Sequence, residues 1–234
     1  MGSRTSYQLV RLLAALAAAA GWAGLIVQLA ILLPNMGVAT GLWRFFGFFT
    51  ILTNLGAAIV ASAVAAGFQG KLAGPRARLM AATSMVIVGI VYSVALRSLW
   101  NPQGLQKLAD VLLHDAAPLL WLVLWLAAPH VRLPWREVGW ALLPPVAYAA
   151  YALARGAMDG WYAYWFLNPS LQSPAQLAAS IAALLAGFAA LAAAMVAIDR
   201  RLGRPKRPAF DIVEQAGEQS FPASDPPSWT LGDN

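Results

Sequence analysis

Cysteine is absent from the 234 residues. Its absence removes disulfides, thiolate metal ligands and a cysteine nucleophile together. Histidine is scarce, with His114 and His130 the two in the chain. Since His130 sits in a loop, this set cannot build a haem-stacking pair or a multi-histidine metal bundle, so no metal and no cofactor is expected. Charge is also in short supply. Charged residues make up 11% of the chain, against roughly 25% in an ordinary soluble domain. Hydrophobic residues make up 60%, and the mean hydropathy is +0.62. That composition points to the bilayer before any local pattern is read. The net charge of +6 would suit nucleic acid if it formed one patch. It lies instead in short loops and at the ends of apolar runs, where basic residues set membrane orientation. Membrane lipids are therefore the expected partners, and nucleic acid is not.

What is present is six apolar runs, at about 8–33, 43–66, 77–98, 107–128, 138–157 and 176–199. Each is near the ~20 residues that a ~30 Å hydrocarbon core requires. Period-two alternation is missing, so helices are expected rather than a β-barrel. The first run has a basic start, as a signal peptide does, but stays apolar from Leu12 to Leu33. A cleavable core is usually only ~7–15 residues, so this run is read as a retained helix. Twelve of the sixteen Lys and Arg residues fall on one side: the start, the loops with Lys71, Arg76, Arg78, Arg132 and Arg136, and the stretch from Arg200 onward. The other side has Arg44, Arg97, Lys107 and Arg155. The fold class expected is therefore an all-α polytopic membrane protein with six transmembrane helices and both termini cytoplasmic. Residues 1–202 form its transmembrane domain. Residues 203–234, rich in Pro, Gly, Ser and acids, are expected to be a disordered cytoplasmic tail.

An ionisable group inside a membrane helix costs about 2.5–3.5 kcal/mol at its centre, so it needs a partner or a task. Arg44, Arg97, Lys107 and Arg155 can escape that cost by snorkelling to the interface. His114 cannot, because it lies seven residues beyond Lys107, about 10 Å down a helix. Asp110 sits one turn above it on the same face. Asp115 points about 100° away and needs another partner. Pro118 follows four residues later, where its ring displaces the His114 carbonyl and removes a backbone hydrogen bond. These residues fit a structural histidine bonded to a neighbouring helix, and they fit a functional one equally.

In the second run, Thr50, Thr53 and Asn54 share a face. Thr50 is seven residues past Trp43, at a depth matching that of His114. A hydroxyl and an imidazole at one depth are the minimum for an activated nucleophile, although Thr and Asn also join helices by hydrogen bonds. Trp161, Tyr162, Tyr164, Trp165 and Phe166 follow the fifth run and form an interfacial aromatic belt or a gate over a pocket, which Gly156 and Gly160 would let bend.

The stretches "FFTILTNL", "LLHDAAPLL", "YALARGAMDGWYAYWFLNPS" and "AIDRRLGR" together resemble the bacterial Pr6Pr family of six-helix membrane proteins. The resemblance covers most of residues 8–202. That family is in turn similar to the animal androgen-induced hydrolases, which cleave fatty acid esters of hydroxy fatty acids with a membrane-embedded threonine and histidine. The resemblance implies residence in the bacterial cytoplasmic membrane and hydrolysis of a lipid ester. It also implies Thr50 as nucleophile, with Thr53 one turn away, and His114 as base. Asp110 is the candidate to orient His114. Asn54, Tyr92, Arg97, Tyr148, Arg155, Trp161 and Tyr162 are the candidates to bind substrate. This reading places the Thr50 hydroxyl within about 2.6–3.2 Å of the imidazole. The alternative is a non-enzymatic lipid-binding or scaffold protein. A proton-coupled transporter would need an internal repeat with broken helices, and no such repeat is visible.

Overall fold

The computed structural model describes residues 2–203, so the expected tail lies almost wholly outside the described residues. Every regular element among residues 2–203 is helical. The helices are α1 (Gly2–Met36), α2 (Val38–Phe45), α3 (Phe49–Ala65), α4 (Pro75–Val91), α5 (Gly104–Val111), α6 (Ala117–Ala127), α7 (Glu137–Ala141), α8 (Leu143–Asp159) and α9 (Pro174–Leu202). Two π-helical turns, Tyr92–Leu96 and Leu112–Ala116, continue α4 and join α5 to α6.

Four continuous helical stretches are long and apolar enough to cross a membrane: Ser6–Met36, Pro75–Leu99, Gly104–Ala127 and Pro174–Leu202. Their outward faces carry large apolar side chains such as Leu12, Ile26, Ile90 and Leu119. A helix that is apolar on its outer face as well as its inner one suits lipid surroundings. Local chemistry sets the boundaries. At the start of α9, Ser173 Oγ accepts from the Gln176 amide while the Gln176 side chain accepts from the Ser173 amide, a reciprocal capping box. Gly160 ends α8 at φ +74°, a conformation that glycine adopts without strain.

The second expected span, 43–66, is not one helix. It breaks at Phe46–Phe48, and α2 and α3 meet at 80°. The cause is tertiary. Tyr148 donates to the Gly47 carbonyl at 2.8 Å, and Tyr151 donates to the Phe46 carbonyl at 3.1 Å. These bonds satisfy oxygens that a continuous helix would have used. Gly47 also lies so close to Trp161 that a Cβ there would stand 2.6 Å from the indole. The fifth expected span, 138–157, is interrupted as well. Pro144 and Pro145 lie at the start of α8, where missing amides are tolerated. They separate α8 from the five-residue α7.

Small side chains let α1 and α3 approach closely. Ala14, Ala17 and Ala18 bury against Ala57 and Ala61, and a Cβ on Gly21 would stand 3.2 Å from that of Ala58. The two helices run antiparallel, since Arg11 near the start of α1 donates to Ala65 at the end of α3 at 2.7 Å. At this same basic end, Arg76 grips Glu137 with two bonds of 2.6 and 2.7 Å. That hydrogen-bonded guanidinium holds the Glu137 carboxyl below the usual range, against the opposing effect of burial. Asp199 of α9 accepts from the Leu133 amide at 2.6 Å and the Val131 amide at 3.4 Å, and lies 2.9 Å from His130 Nδ1.

Candidate functional site

The two π-helical turns face each other and form one side of the site. Each widened turn shifts the register of its helix, a device that recurs at functional positions. It brings the rings of Tyr92 and His114 into a stack, with centroids 3.9 Å apart and planes 15° from parallel. Tyr92 donates to Asp110 Oδ2 at 2.5 Å. His114 Nδ1 lies 3.1 Å from both the Asp110 carbonyl oxygen and Asp110 Oδ1. The hydrogen-bond geometry is satisfied at the carbonyl, while Oδ1 has no hydrogen-bond partner of its own. A carbonyl only accepts, so Nδ1 carries the hydrogen and neutral His114 keeps its lone pair on Nε2. Asp115, which needed a partner, forms an ion pair with Arg97, and Arg97 lies 5.0 Å over the Tyr92 ring.

The opposite wall comes from the first turn of α3. Thr50 presents its hydroxyl 3.4 Å from the Tyr164 hydroxyl, and its amide donates to the same oxygen at 3.4 Å. Tyr164 is held in place by rings on several sides: Phe166 stacked at 5.2 Å, Tyr148 edge-on at 6.1 Å and Phe48 edge-on at 6.3 Å. Between the walls lies a cavity of about 260 Å³, bordered by Thr50, Tyr164, Tyr92, Asp110 and His114 and otherwise mostly apolar. Gln28 of α1 and Gln106 of α5 also line it, joined by a 2.8 Å hydrogen bond.

The structure thus brings Thr50, Asp110, His114 and Tyr92 to one cavity. The Thr50 hydroxyl and the imidazole are not hydrogen-bonded to each other; the hydroxyl meets Tyr164 instead. Thr53 is turned away. It donates to the Phe49 and Thr50 carbonyls at 2.8 and 3.2 Å and borders a different, lateral groove. Of the two threonines, Thr50 alone shares the cavity with His114.

The remaining candidates for substrate binding do not line this cavity. Asn54 is wholly buried and bridges α3 to the second π turn, donating to the Thr50 and Leu113 carbonyls at 2.9 and 3.3 Å. Arg97 is engaged with Asp115. Tyr148 holds the break before α3. Arg155 does not snorkel; it is buried, donates to the Trp43 carbonyl and to Tyr151, and lies 3.9 Å over the Trp43 ring. Trp161 stacks under Arg44 at 4.3 Å, and Tyr162 packs on Gly156 where no Cβ would fit. These side chains fasten α2, α8 and the aromatic loop together. The sequence offers Tyr164 only as one member of the aromatic belt or gate, and it does not single out Gln28 or Gln106. Two neutral amides inside or beside apolar runs were the available signal, because an unpaired amide is costly in lipid.

No family model, curated protein or solved structure matches this chain.

Proposed function

We propose that the protein is an intramembrane hydrolase of lipid esters, with Thr50 as nucleophile and His114 as base. One observation carries the reading. A threonine and a histidine from different helices line one cavity, and the histidine has its Nδ1 hydrogen engaged and Nε2 unspent. Thr50 attacks the ester carbonyl while Nε2 takes its proton, and the imidazolium then protonates the departing alcohol. Water enters by the same route in reverse, releasing the acid and restoring Thr50. Asp110 orients the imidazole through its carbonyl and places a carboxylate oxygen 3.1 Å from Nδ1, where positive charge develops. For the first step the Thr50 hydroxyl turns from Tyr164 toward Nε2, or reaches it through one water. Catalytic hydrogen bonds commonly tighten only when substrate is bound.

The same reading places the chain in a bacterial cytoplasmic membrane with six spans, as its resemblance to the Pr6Pr family implies. The bent α2–α3 pair and the α7–α8 pair supply the second and fifth spans. Both termini are cytoplasmic, in keeping with the basic residues around Arg76, Arg136 and Arg200. Reporter fusions after residues 73 and 133 should then read cytoplasmic, and those after 103 and 168 external.

A second reading, a non-enzymatic lipid-binding or scaffold bundle, is favoured by the Thr50–Tyr164 contact, which engages the hydroxyl without the histidine. Hydrolysis of a fluorogenic ester by the purified protein separates the two. The first reading requires turnover that disappears in both Thr50→Ala and His114→Ala with the fold intact. Turnover that survives either substitution, or none in the parent protein, favours the second.

A further inference from the structure

Thr50 borders two spaces. On one side is the cavity with His114; on the other is a small chamber of about 40 Å³ among α4, α8 and α9. Tyr92, Leu96 and Tyr164 also line both. Phe49, Tyr148 and Phe188 line the chamber and pack ring against ring, with centroids 5.1 Å (Phe49–Tyr148) and 5.8 Å (Phe49–Phe188) apart. The lateral groove of about 660 Å³ shares Phe49 and Tyr148 with the chamber.

An ester attacked at Thr50 has two halves that must go to different places. The alcohol leaves by taking a proton from His114, so its oxygen, and the group it carries, belong on the His114 side. The acyl half stays bonded to Thr50 and takes the space left on the other side. About 10–15 Å³ of such space admits one water-sized group. By that measure the 40 Å³ chamber holds roughly three such groups, and the 260 Å³ cavity roughly twenty.

Resting on the hydrolase reading above, we propose that the substrate is an ester with a short acyl group, roughly two to four carbons, on a lipidic alcohol. The acyl group occupies the chamber and its length is limited by Phe188. In the first step the Thr50 Oγ–acyl bond forms, the ester C–O bond breaks, and the Thr50 proton passes through His114 to the alcohol oxygen. In the second, water supplies the hydroxyl of the short acid and returns a proton to Thr50.

The test uses a mirror pair of esters, hexadecyl acetate and ethyl palmitate, with the purified full chain in mixed micelles. Labelling by an ethyl fluorophosphonate runs in parallel as an independent report on the Thr50 hydroxyl. Hexadecyl acetate should be hydrolysed faster by about tenfold or more, the range that a few methylenes decide in an apolar pocket. Phe188→Leu, or Leu184→Ala should the first not fold, opens the chamber and should narrow that ratio. Val91→Phe fills the chamber and should slow hexadecyl acetate itself. Equal or faster cleavage of ethyl palmitate overturns the proposal, as does a ratio that none of these variants moves. Labelling at Thr50 without hydrolysis of either ester overturns the proposal and leaves the hydrolase reading standing. Neither labelling nor hydrolysis overturns both.

Discussion

The two histidines occupy opposite ends of the bundle and meet different fates. His130 has both ring nitrogens spent, Nδ1 at 2.9 Å from Asp199 and Nε2 at 3.3 Å from the Leu126 carbonyl, and its ring packs edge-on to Trp125 at 5.0 Å. His114 has one nitrogen spent and borders a cavity. Burial does not separate them, since their side chains are 9% and 16% exposed. What differs is whether a lone pair is left over and whether space lies beside it. The basic end is a lock in which each carboxylate is consumed by backbone amides or a guanidinium. The cavity end leaves one base unspent.

The sharpest way to break this comparison is to remove each histidine in turn. His114→Ala should cost at least about 10²–10⁴ in ester turnover, the range for a general base, with little change in melting temperature. His130→Ala should do the reverse, lowering the melting temperature while folded protein keeps its turnover. If both variants lose turnover alike, the two ends are not distinct in kind.

A smaller effect is expected at the lock itself. Asp199→Ala leaves the Val131 and Leu133 amides unpaired, and a charged hydrogen bond contributes about 1.5–3 kcal/mol. A loss of about 3 kcal/mol in a reversible unfolding measurement, with turnover per folded molecule retained, would sharpen the contrast.

The Arg76–Glu137 pair gives a pH signature at the same end. Glu137 is held below its ordinary value by the Arg76 hydrogen bonds. A carboxylate lowered on folding stabilises the native state above its unfolded pKa and loses that contribution as pH falls through the folded value. The gap in melting temperature between the parent and Glu137→Gln should be full at neutral pH. It should close progressively below about pH 4, the ordinary carboxylate range. A gap that widens on acidification would contradict the assignment. The smallest change expected is Thr53→Ala. Its hydroxyl bonds only its own helix, so the loss should be under about 1 kcal/mol, with turnover near that of the parent.

Much of the helical framework was legible because apolar runs of sufficient length admit few alternatives in lipid. The first, third, fourth and sixth runs correspond to α1, α4, α5 with α6, and α9. The break before α3 was not legible. No proline marks it; it is held by Tyr148, Tyr151 and Trp161, which lie about a hundred residues away in sequence. The π turns were equally hidden, although Pro118 already showed that the backbone at His114 was loosened. Depth and spacing brought Thr50, Asp110 and His114 together because helical rise converts residue number into distance. The same arithmetic is blind to direction around the helix, so Asn54 and Arg155 were assigned to a cavity that they do not face.

The most direct test of the account is to map a fluorophosphonate adduct by peptide mass spectrometry in the parent, His114→Ala and His130→Ala proteins. The account predicts an adduct on Thr50 in the parent and in His130→Ala, and its loss in His114→Ala. An adduct that persists without His114, or that sits on Thr53 or another residue, would contradict it.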